Sequence, residues 1–427
     1  MKLKLGIIGV GTVGSGVIDI IESRKEWLQE HYQMEISIEG IAARRQANLD
    51  EFKQYKGTLN PLDLANDPEI DVLVELAGGY DLPLEWIEAA IENGKHVVTA
   101  NKALIAKHGE KLFPKAAAKK TSLKFEAAVA GGIPIIKALQ ESLSGNEILS
   151  LYGIINGTCN YMVSEMEEKG LDFETALKDA QDLGFAEADP TFDVDGIDAC
   201  HKLSILSTIA GRSYVPFEKI PTEGIRKIDP LDLEIVDSMG CVIKLLGIYK
   251  RQGDTADVRV HPCILPKDHL LANVTGVLNA VYLETDRLGP ALFTGAGAGM
   301  FPTASAVVAD IIDIAIGMKS GLVEPLEMSY YASSNPAKLM PSSEIEAKYY
   351  LRIVTEDKKG VLAEITNQLA SSEISIESVV QKPSEEGKDA TIIVVTHMSK
   401  EENLSNAVKA IDGLASVKSD TQFIRFI

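Results

Sequence analysis

Between Gly184 and Lys202 the chain carries Glu187, Asp189, Asp193, Asp195 and Asp198, and it ends that stretch on Lys202 itself. Carboxylates held together suit a ligand bearing a cationic amino group. A lysine beside them can pass a proton to or from an alcohol oxygen. Asp198 and Lys202 are four residues apart, so a helix over Asp195–Ala210 makes them neighbours on one face, with Asp195 placed to cap its start. Alone on an exposed helix, such a pair would be a solvated ion pair worth only about a few tenths of a kcal/mol. One lysine does not need so many acids, which favours a site. A calcium loop of the EF-hand type does not fit. Aligned on Gly196 it puts Thr191 first and Lys202 twelfth, where calcium needs a bidentate Glu.

A second group of residues lies at the start of the chain. Gly9-Val10-Gly11-Thr12-Val13-Gly14 follows an apolar run and opens a helical pattern. That is G-x-G-x-x-G in the context its chemistry needs. The first glycine allows a tight turn, the second lets a pyrophosphate approach the backbone, and the third lets helix and strand pack closely. The helix start offers free N–H groups to the phosphates. After the second strand, where Asp or Glu normally meets a ribose 2′-hydroxyl, the chain reads Ile41-Ala42-Ala43-Arg44-Arg45. Arg44 and Arg45 suit a 2′-phosphate, so the expected cofactor is NADP, with NAD as the second choice.

Elements that would hold these residues follow from periodicity. Leu3–Gly9, Ile36–Ala42, Asp71–Leu76, His96–Thr99 and Leu123–Glu126 read as strands; residues 12–30, Leu84–Glu92 and Lys107–Lys119 read as helices between them. This alternation predicts a Rossmann-type, doubly wound α/β domain. Near Gly131 the rhythm changes to an α+β substrate or dimerisation domain, with strand-rich runs at Ile148–Asn156, Val242–Tyr249 and Val274–Tyr282. Ser305–Met318 reads as a helix returning to the first domain. After a Pro/Ser-punctuated linker comes a βαββαβ, ferredoxin-like module: Tyr349–Thr355, Gly360–Ala370, Ile374–Gln381, Ala390–Thr396, Lys400–Ile411 and Ala415–Phe426. The expected boundaries are 1–130 plus 302–325, 131–301, linker 326–348, and 349–427.

Composition narrows the partners. The 427 residues carry a net charge of −20, which disfavours binding to nucleic acid or to an anionic membrane. Four cysteines, none in a C-x-x-C pair, suit reduced thiols rather than a zinc site or a disulfide scaffold. Glycines at 6, 9, 11, 14 and 16 interrupt the N-terminal apolar stretch, so it is not a secretory signal. No uninterrupted apolar run reaches the 18 residues of a membrane helix. A cytoplasmic protein is expected.

Taken together, Gly9–Gly14, Thr99-Ala100-Asn101-Lys102, Glu126–Ile133, Asn156-Gly157-Thr158-Cys159-Asn160, Gly184–Lys202 and Gly295–Gly299 resemble homoserine dehydrogenase over residues 1 to about 320. Residues 349–427 resemble an ACT domain, a small-molecule regulatory module. The layout is similar to the monofunctional, ACT-bearing homoserine dehydrogenases of bacteria. The resemblance implies reversible hydride transfer between L-homoserine and NAD(P)+, giving L-aspartate 4-semialdehyde and NAD(P)H, on the route to threonine, methionine and isoleucine.

By motif position, Lys202 would be the proton donor to the carbonyl oxygen. Glu187 and Asp198 would hold the substrate's amino and hydroxyl groups, with Asp193 and Gly184 in the same polar shell. Lys102 would face nicotinamide and substrate at a strand's carboxyl end. Thr99, Ala100 and Gly299 would join Gly9, Gly11, Thr12, Val13 and Gly14 in cofactor binding. Main-chain carbonyls of Glu126, Val129, Gly131 and Ile133 would hold a sodium ion, a hard cation that takes oxygen ligands. In the ACT-like part, the loop with Asp357, Gly360, Val361 and Leu362 would bind an amino-acid effector, for which the pathway suggests threonine. The resembling enzymes are homodimers or homotetramers.

Two other functions compete. One is an acylating semialdehyde dehydrogenase with Cys159 as nucleophile and His201 or His261 as base. It would leave the lysine–carboxylate cluster idle. The other is an amino-acid sensor built on an inactive nucleotide fold, which would need no proton donor.

Overall fold

The computed structural model describes residues 2–321, 330–331, 336–382 and 389–427. It divides into two compact units, the first formed by Met1–Gly157, Asp198–Ile220 and Val277–Ala337, the second by Thr158–Ile197, Pro221–Gly276 and Lys338–Ile427. The first holds β1 (Lys2–Ile8), β2 (Glu35–Ala42), β3 (Lys56–Thr58), β4 (Val72–Glu75), β5 (His96–Thr99), β6 (Leu123–Lys124) and β7 (Ile148–Ile154). In chain order there follow β8 (Cys241–Gln252) and β9 (Thr255–Pro266) in the second unit, then β10 (Leu278–Thr285) and β11 (Pro290–Ala296) in the first. The remaining strands belong to the second unit: β12 (Lys338–Leu339), β13 (Glu346–Ala347), β14 (Tyr349–Thr355), β15 (Ile376–Lys382), β16 (Ala390–Thr396), β17 (Ser399–Lys400) and β18 (Gln422–Phe426).

In the first unit, six strands form a parallel sheet in the order β3-β2-β1-β4-β5-β6. The order reverses between β1 and β4, and in open α/β sheets ligands bind at the carboxyl ends beside such a switch. β4 and β5 are buried along their whole length, as apolar runs covered on both faces must be. The helix Met300–Ser320 packs across the helix Thr12–Ser23. A Cβ added at Gly16 would meet Met300 Cγ at 2.9 Å and Ala304 Cβ at 3.1 Å, so the small residue permits this close crossing. Met300–Ser320 has the length and apolarity of a membrane span, with mean hydropathy 1.5. Its apolar residues Val307, Ile311 and Ile314 instead fill the core with Val17, Ile21 and Val74. A separate antiparallel set, β11-β10-β7, completes the strands of this unit.

Within the second unit, β8 and β9, twelve residues each, make an antiparallel hairpin closed at Gly253, whose φ of +59° suits the tight turn. β18 runs parallel to β9 and antiparallel to β14, followed by β16 and β15. The C-terminal strands thus lie in the order β18-β14-β16-β15, which is the ferredoxin-like arrangement for a βαββαβ chain. Val361, Ile365 and Leu369 fall on one helical face, Leu404, Ala407 and Ile411 on another, and both faces close one core with Leu351, Ile353 and Val394.

Several element ends differ from expectation for local reasons. The helix expected over 12–30 breaks at Arg24 into Thr12–Ser23 and Lys25–Tyr32. The helix expected from Lys107 starts at Lys102, because Asn101 caps it by accepting from Leu104 N at 3.1 Å. The final strand is confined to Gln422–Phe426, since 415–421 turn after the helix Glu401–Asp412. β9 and β11 were not anticipated, and the strand expected at Val274 begins at Leu278 after a short 3₁₀ turn. Of the expected linker, 326–329 and 332–335 lie outside the described residues, as do 322–325 of the first domain's returning segment. β12 pairs with β9, and β13 with β17.

Candidate active site

Chemistry begins where β1 ends. Gly9 has φ +94°, and a Cβ there would sit 2.8 Å from the Leu76 carbonyl carbon. Gly9 N donates to Ala42 O at 2.8 Å, tying the turn to the end of β2. Gly11 precedes the helix Thr12–Ser23 and no side chain caps it, which leaves first-turn N–H groups for an anion. A Cβ at Gly11 would meet nothing within 4 Å, whereas one at Gly14 would strike Gly9 O. The loop is therefore closed behind and open above, the space a pyrophosphate needs. Two substitutions should behave oppositely. Gly14→Ala should destabilise the fold by about 2 kcal/mol or more, an overpacking cost. Gly11→Ala should leave the Tm nearly unchanged while weakening nucleotide binding by about tenfold or more, since the methyl takes the ligand's space. Thermal denaturation and fluorescence titration with NADPH would separate the two.

Arg44 and Arg45 follow β2, whose last residue Ala42 pairs with Ile8 beside the glycine turn. Both are exposed and make no ion pair among the described residues. They stand at the strand end where a second nucleotide group would lie.

A cleft of about 280 Å³ runs along the carboxyl ends of β1, β4 and β5. Val13 of the glycine-loop helix lines it, as do Ala77, Ala100, Lys102, Gly131 and Lys202. Lys202 comes from the helix Ile197–Gly211, which is buried on nearly every side. Its Nζ donates to Asp198 Oδ2 at 2.7 Å and to Ile155 O at 2.7 Å. Lys102 Nζ lies 3.1 Å from Asp198 Oδ1, so one carboxylate joins two ammonium groups. Asn156 Nδ2 donates to Asp198 Oδ2 at 2.9 Å. Burial would push the Asp198 carboxyl up. The Lys202 and Lys102 charges, with the hydrogen bonds, outweigh it and bring it to about 2. His201 points elsewhere, packing edge-on against Phe217, and burial lowers its imidazole to about 4.

Lys202, Lys102 and Asp198 are brought together. Glu187, Gly184 and Asp193 belong to the second unit; Glu187 and Gly184 are exposed there, and Asp193 O accepts the Cys159 thiol at 3.2 Å. The acidic stretch is not one cluster. Asp189 accepts Thr191 N at 3.1 Å, and Asp195 pairs with Arg226. Asp195 ends the short helix Thr191–Val194 and does not open the long one, because Gly196, at φ +81°, turns the chain between them.

Thr99 is buried and donates to Glu75 Oε2 at 2.7 Å. Gly299 precedes the helix Met300–Ser320, while its neighbours Gly297 and Ala298 line the cleft. Asp357 and Gly360 are exposed in the turn after β14. Gly360, at φ +97°, starts the helix in which Val361 is buried and Leu362 exposed.

Sequence reasoning assigned no role to Glu75, Asn101 or Asn156. Glu75 Oε1 accepts from Ala77 N at 2.8 Å and Gly78 N at 3.0 Å, shaping the turn that floors the cleft. Asn101 donates to Gly79 O at 2.7 Å besides capping its helix. Each stands at or next to the carboxyl end of an apolar strand, and that placement was the available signal. Cys159 is fully buried with its thiol turned to a main-chain carbonyl, and no described cysteine is disulfide-bonded. That is a structural thiol rather than an exposed thiolate nucleophile.

Comparison with known proteins decides the family. A homoserine dehydrogenase from Pseudomonas aeruginosa is 46% identical over 430 residues, covering 99% of this chain and 98% of that protein. The chain belongs to the homoserine dehydrogenase family. Residues 134–312 match the homoserine dehydrogenase domain, 9–126 the family's NAD-binding domain, and 349–416 the ACT domain. A crystal structure of a homoserine dehydrogenase from Thiobacillus denitrificans superposes with TM-score 0.93 at 43% identity, covering 100% of this chain and 98% of that one. A hyperthermophilic archaeal homoserine dehydrogenase in complex with NADPH aligns with 74% of this chain and 98% of its own, at TM-score 0.64 and 28% identity. The chain is accordingly an NAD(P)-dependent oxidoreductase with an ACT domain.

Proposed function

We propose that the protein interconverts L-homoserine and L-aspartate 4-semialdehyde with NADPH as preferred reductant, and that Lys202 moves the proton. The observation carrying this reading is the single cleft lined by both Val13, on the glycine-loop helix, and Lys202. Bound in that cleft, the nicotinamide supplies or accepts the hydride. Lys202 gives a proton to the carbonyl oxygen as the aldehyde is reduced and removes one from the hydroxyl in the reverse direction. Asp198 holds the Lys202 and Lys102 ammonium groups in place and stays ionised while doing so. Glu187, Asp198, Asp193 and Gly184 take the substrate's amino and hydroxyl ends.

Gly9, Gly11, Thr12, Val13 and Gly14 take the pyrophosphate, and Thr99, Ala100, Lys102 and Gly299 border the nicotinamide side. Arg44 and Arg45 receive the 2′-phosphate, a preference supported by their exposure and lack of ion pairs among the described residues. Nucleotide binding belongs to 1–130 with 302–325, substrate binding to 131–301, and regulation to 349–427, joined by 326–348. A sodium ion held by the Glu126, Val129, Gly131 and Ile133 carbonyls belongs to the same reading. Its support is a buried stretch in which Ala130 and Gly131 both take positive φ, turning consecutive carbonyls. The Glu126 carboxylate accepts from Ile136 N and Lys137 N, each at 2.8 Å, and this reading uses the residue's main-chain carbonyl instead. Threonine at Asp357, Gly360, Val361 and Leu362 would be the feedback effector, in a cytoplasmic homodimer or homotetramer. Free thiols fit a reducing compartment, and the exposed Val379 and Val380 on edge strand β15 fit self-association.

The test follows NADPH absorbance with purified protein and L-homoserine, comparing NADP with NAD, with and without millimolar threonine. Arg44→Ala/Arg45→Ala should raise the KM for NADP by about tenfold or more, the loss of charge-assisted bonds, and leave that for NAD unchanged. A strong NAD preference in the native protein would overturn the cofactor choice. No effect of threonine on rate, affinity or assembly would remove it as effector.

A further inference from the structure

Inside the second unit a cavity of about 440 Å³ lies between β9 and β18. These parallel strands pair only at Arg425 with Cys263 and Phe426 with Ile264. Before that point they part. Val260 of β9 bonds instead to the preceding segment, with Glu223 N donating to Val260 O at 2.7 Å and Val260 N to Pro221 O at 2.9 Å. Gln422 and Phe423 keep β14 on one side and line the cavity. The volume falls in the range of roughly 300–1,000 Å³ usual for small-ligand pockets.

Its lining carries charges of both signs. Its cations are Arg226, paired with Asp195 of the same lining, and Lys227, which has no ion pair among the described residues. Glu223, held by Arg425 at 2.8 Å, supplies an anionic end. Asp232 is buried and already satisfied by Tyr350 OH and Arg352 Nε, both at 2.8 Å, so it serves as fixed wall rather than as a ligand group. Apolar surface comes from Ile228, Phe423 and Ile424. Thr421 lines the same cavity, is only 5% exposed, and its hydroxyl has no hydrogen-bond partner among the described residues. A buried hydroxyl left unpaired in a cavity wall calls for a partner that enters the cavity.

We propose that this cavity is a second small-molecule site, for an α-amino acid with a short side chain. The carboxylate lies at Arg226 and Lys227, the ammonium at Glu223, and the side chain against Ile228, Phe423 and Ile424, with Thr421 completing the hydrogen bonds. None of Asp357, Gly360, Val361 and Leu362 lines it, so it is distinct from the effector loop.

Calorimetric titration of the full chain with L-isoleucine, and in parallel with L-threonine, tests this by binding alone, whatever the catalytic residues do. Saturable binding of either probe is expected. Arg226→Ala and the near-isosteric Thr421→Val should each weaken it at least about fivefold, the loss of one hydrogen bond or charge contact. Asp357→Ala should leave that binding step unchanged. Arg226 also holds Asp195, so Thr421→Val is the cleaner variant. No saturable binding of either amino acid would overturn the proposal. So would binding that neither substitution weakens, or that only Asp357→Ala removes.

Discussion

Lys202→Ala should lower kcat by about a thousandfold in both directions, within the range of about 10²–10⁴ that a positioned proton donor contributes. NADPH binding should stay within about twofold, because the glycine loop makes no use of the amine. The argument rests on geometry. Lys202 Nζ is fixed by two acceptors at 2.7 Å, Ile155 O and Asp198 Oδ2, yet still lines the cleft. A donor held so firmly costs little reorganisation as the proton moves. Stopped-flow turnover beside fluorescence titration of NADPH would check both halves. Unchanged turnover would remove Lys202 from the mechanism, whereas lost cofactor binding would make its role structural.

Asp198→Asn is expected to cost both activity and stability. The neutral amide removes the buried charge that Lys202 and Lys102 share. Removing one partner of a buried pair typically costs about 3–5 kcal/mol, and kcat/KM should fall by about a hundredfold or more as the lysines move apart. The stability loss has a definite pH signature. Asp198 has an ordinary value of 3.8 and is brought to about 2 in the folded chain, so its contribution is full above about pH 4. It disappears as pH falls through about 2. Burial in this fully enclosed site allows a conversion of roughly 2 kcal/mol at neutral pH. Denaturant unfolding at pH 7 and at successively lower pH should therefore show the variant and the native protein converging in acid. A constant gap between them would mean that packing, not charge, accounts for the loss.

Much of this site was readable before folding was considered. The glycine loop, the strand alternation and the C-terminal βαββαβ order are local patterns with fixed periods, and β14 and β16 appear over the expected residues. The Asp198–Lys202 pair is likewise local, since four residues make one helical turn. Legibility failed where two distant segments had to meet. Lys102 and Asn156 reach Asp198 from sequence distances that no periodicity encodes. β9 was missed because Pro262 and the charged Asp257 and Arg259 interrupt its apolar run, although all three are buried as part of its hairpin with β8. The individual partners in the acidic stretch were not legible either: Asp189 accepts Thr191 N and Asp195 pairs with Arg226.

By itself the sequence determined the glycine loop, the fold class of both ends of the chain, and the placing of Lys202 one helical turn from Asp198. These depend on spacing within one turn, one strand or one helix, where covalent geometry limits the answers. Tertiary structure alone decided that one buried carboxylate would serve two lysines, that Glu75 would shape the turn flooring the cleft, and that β9 and β18 would part around a cavity. Those outcomes depend on desolvation and on charges meeting across space, and neither is set until the chain has packed.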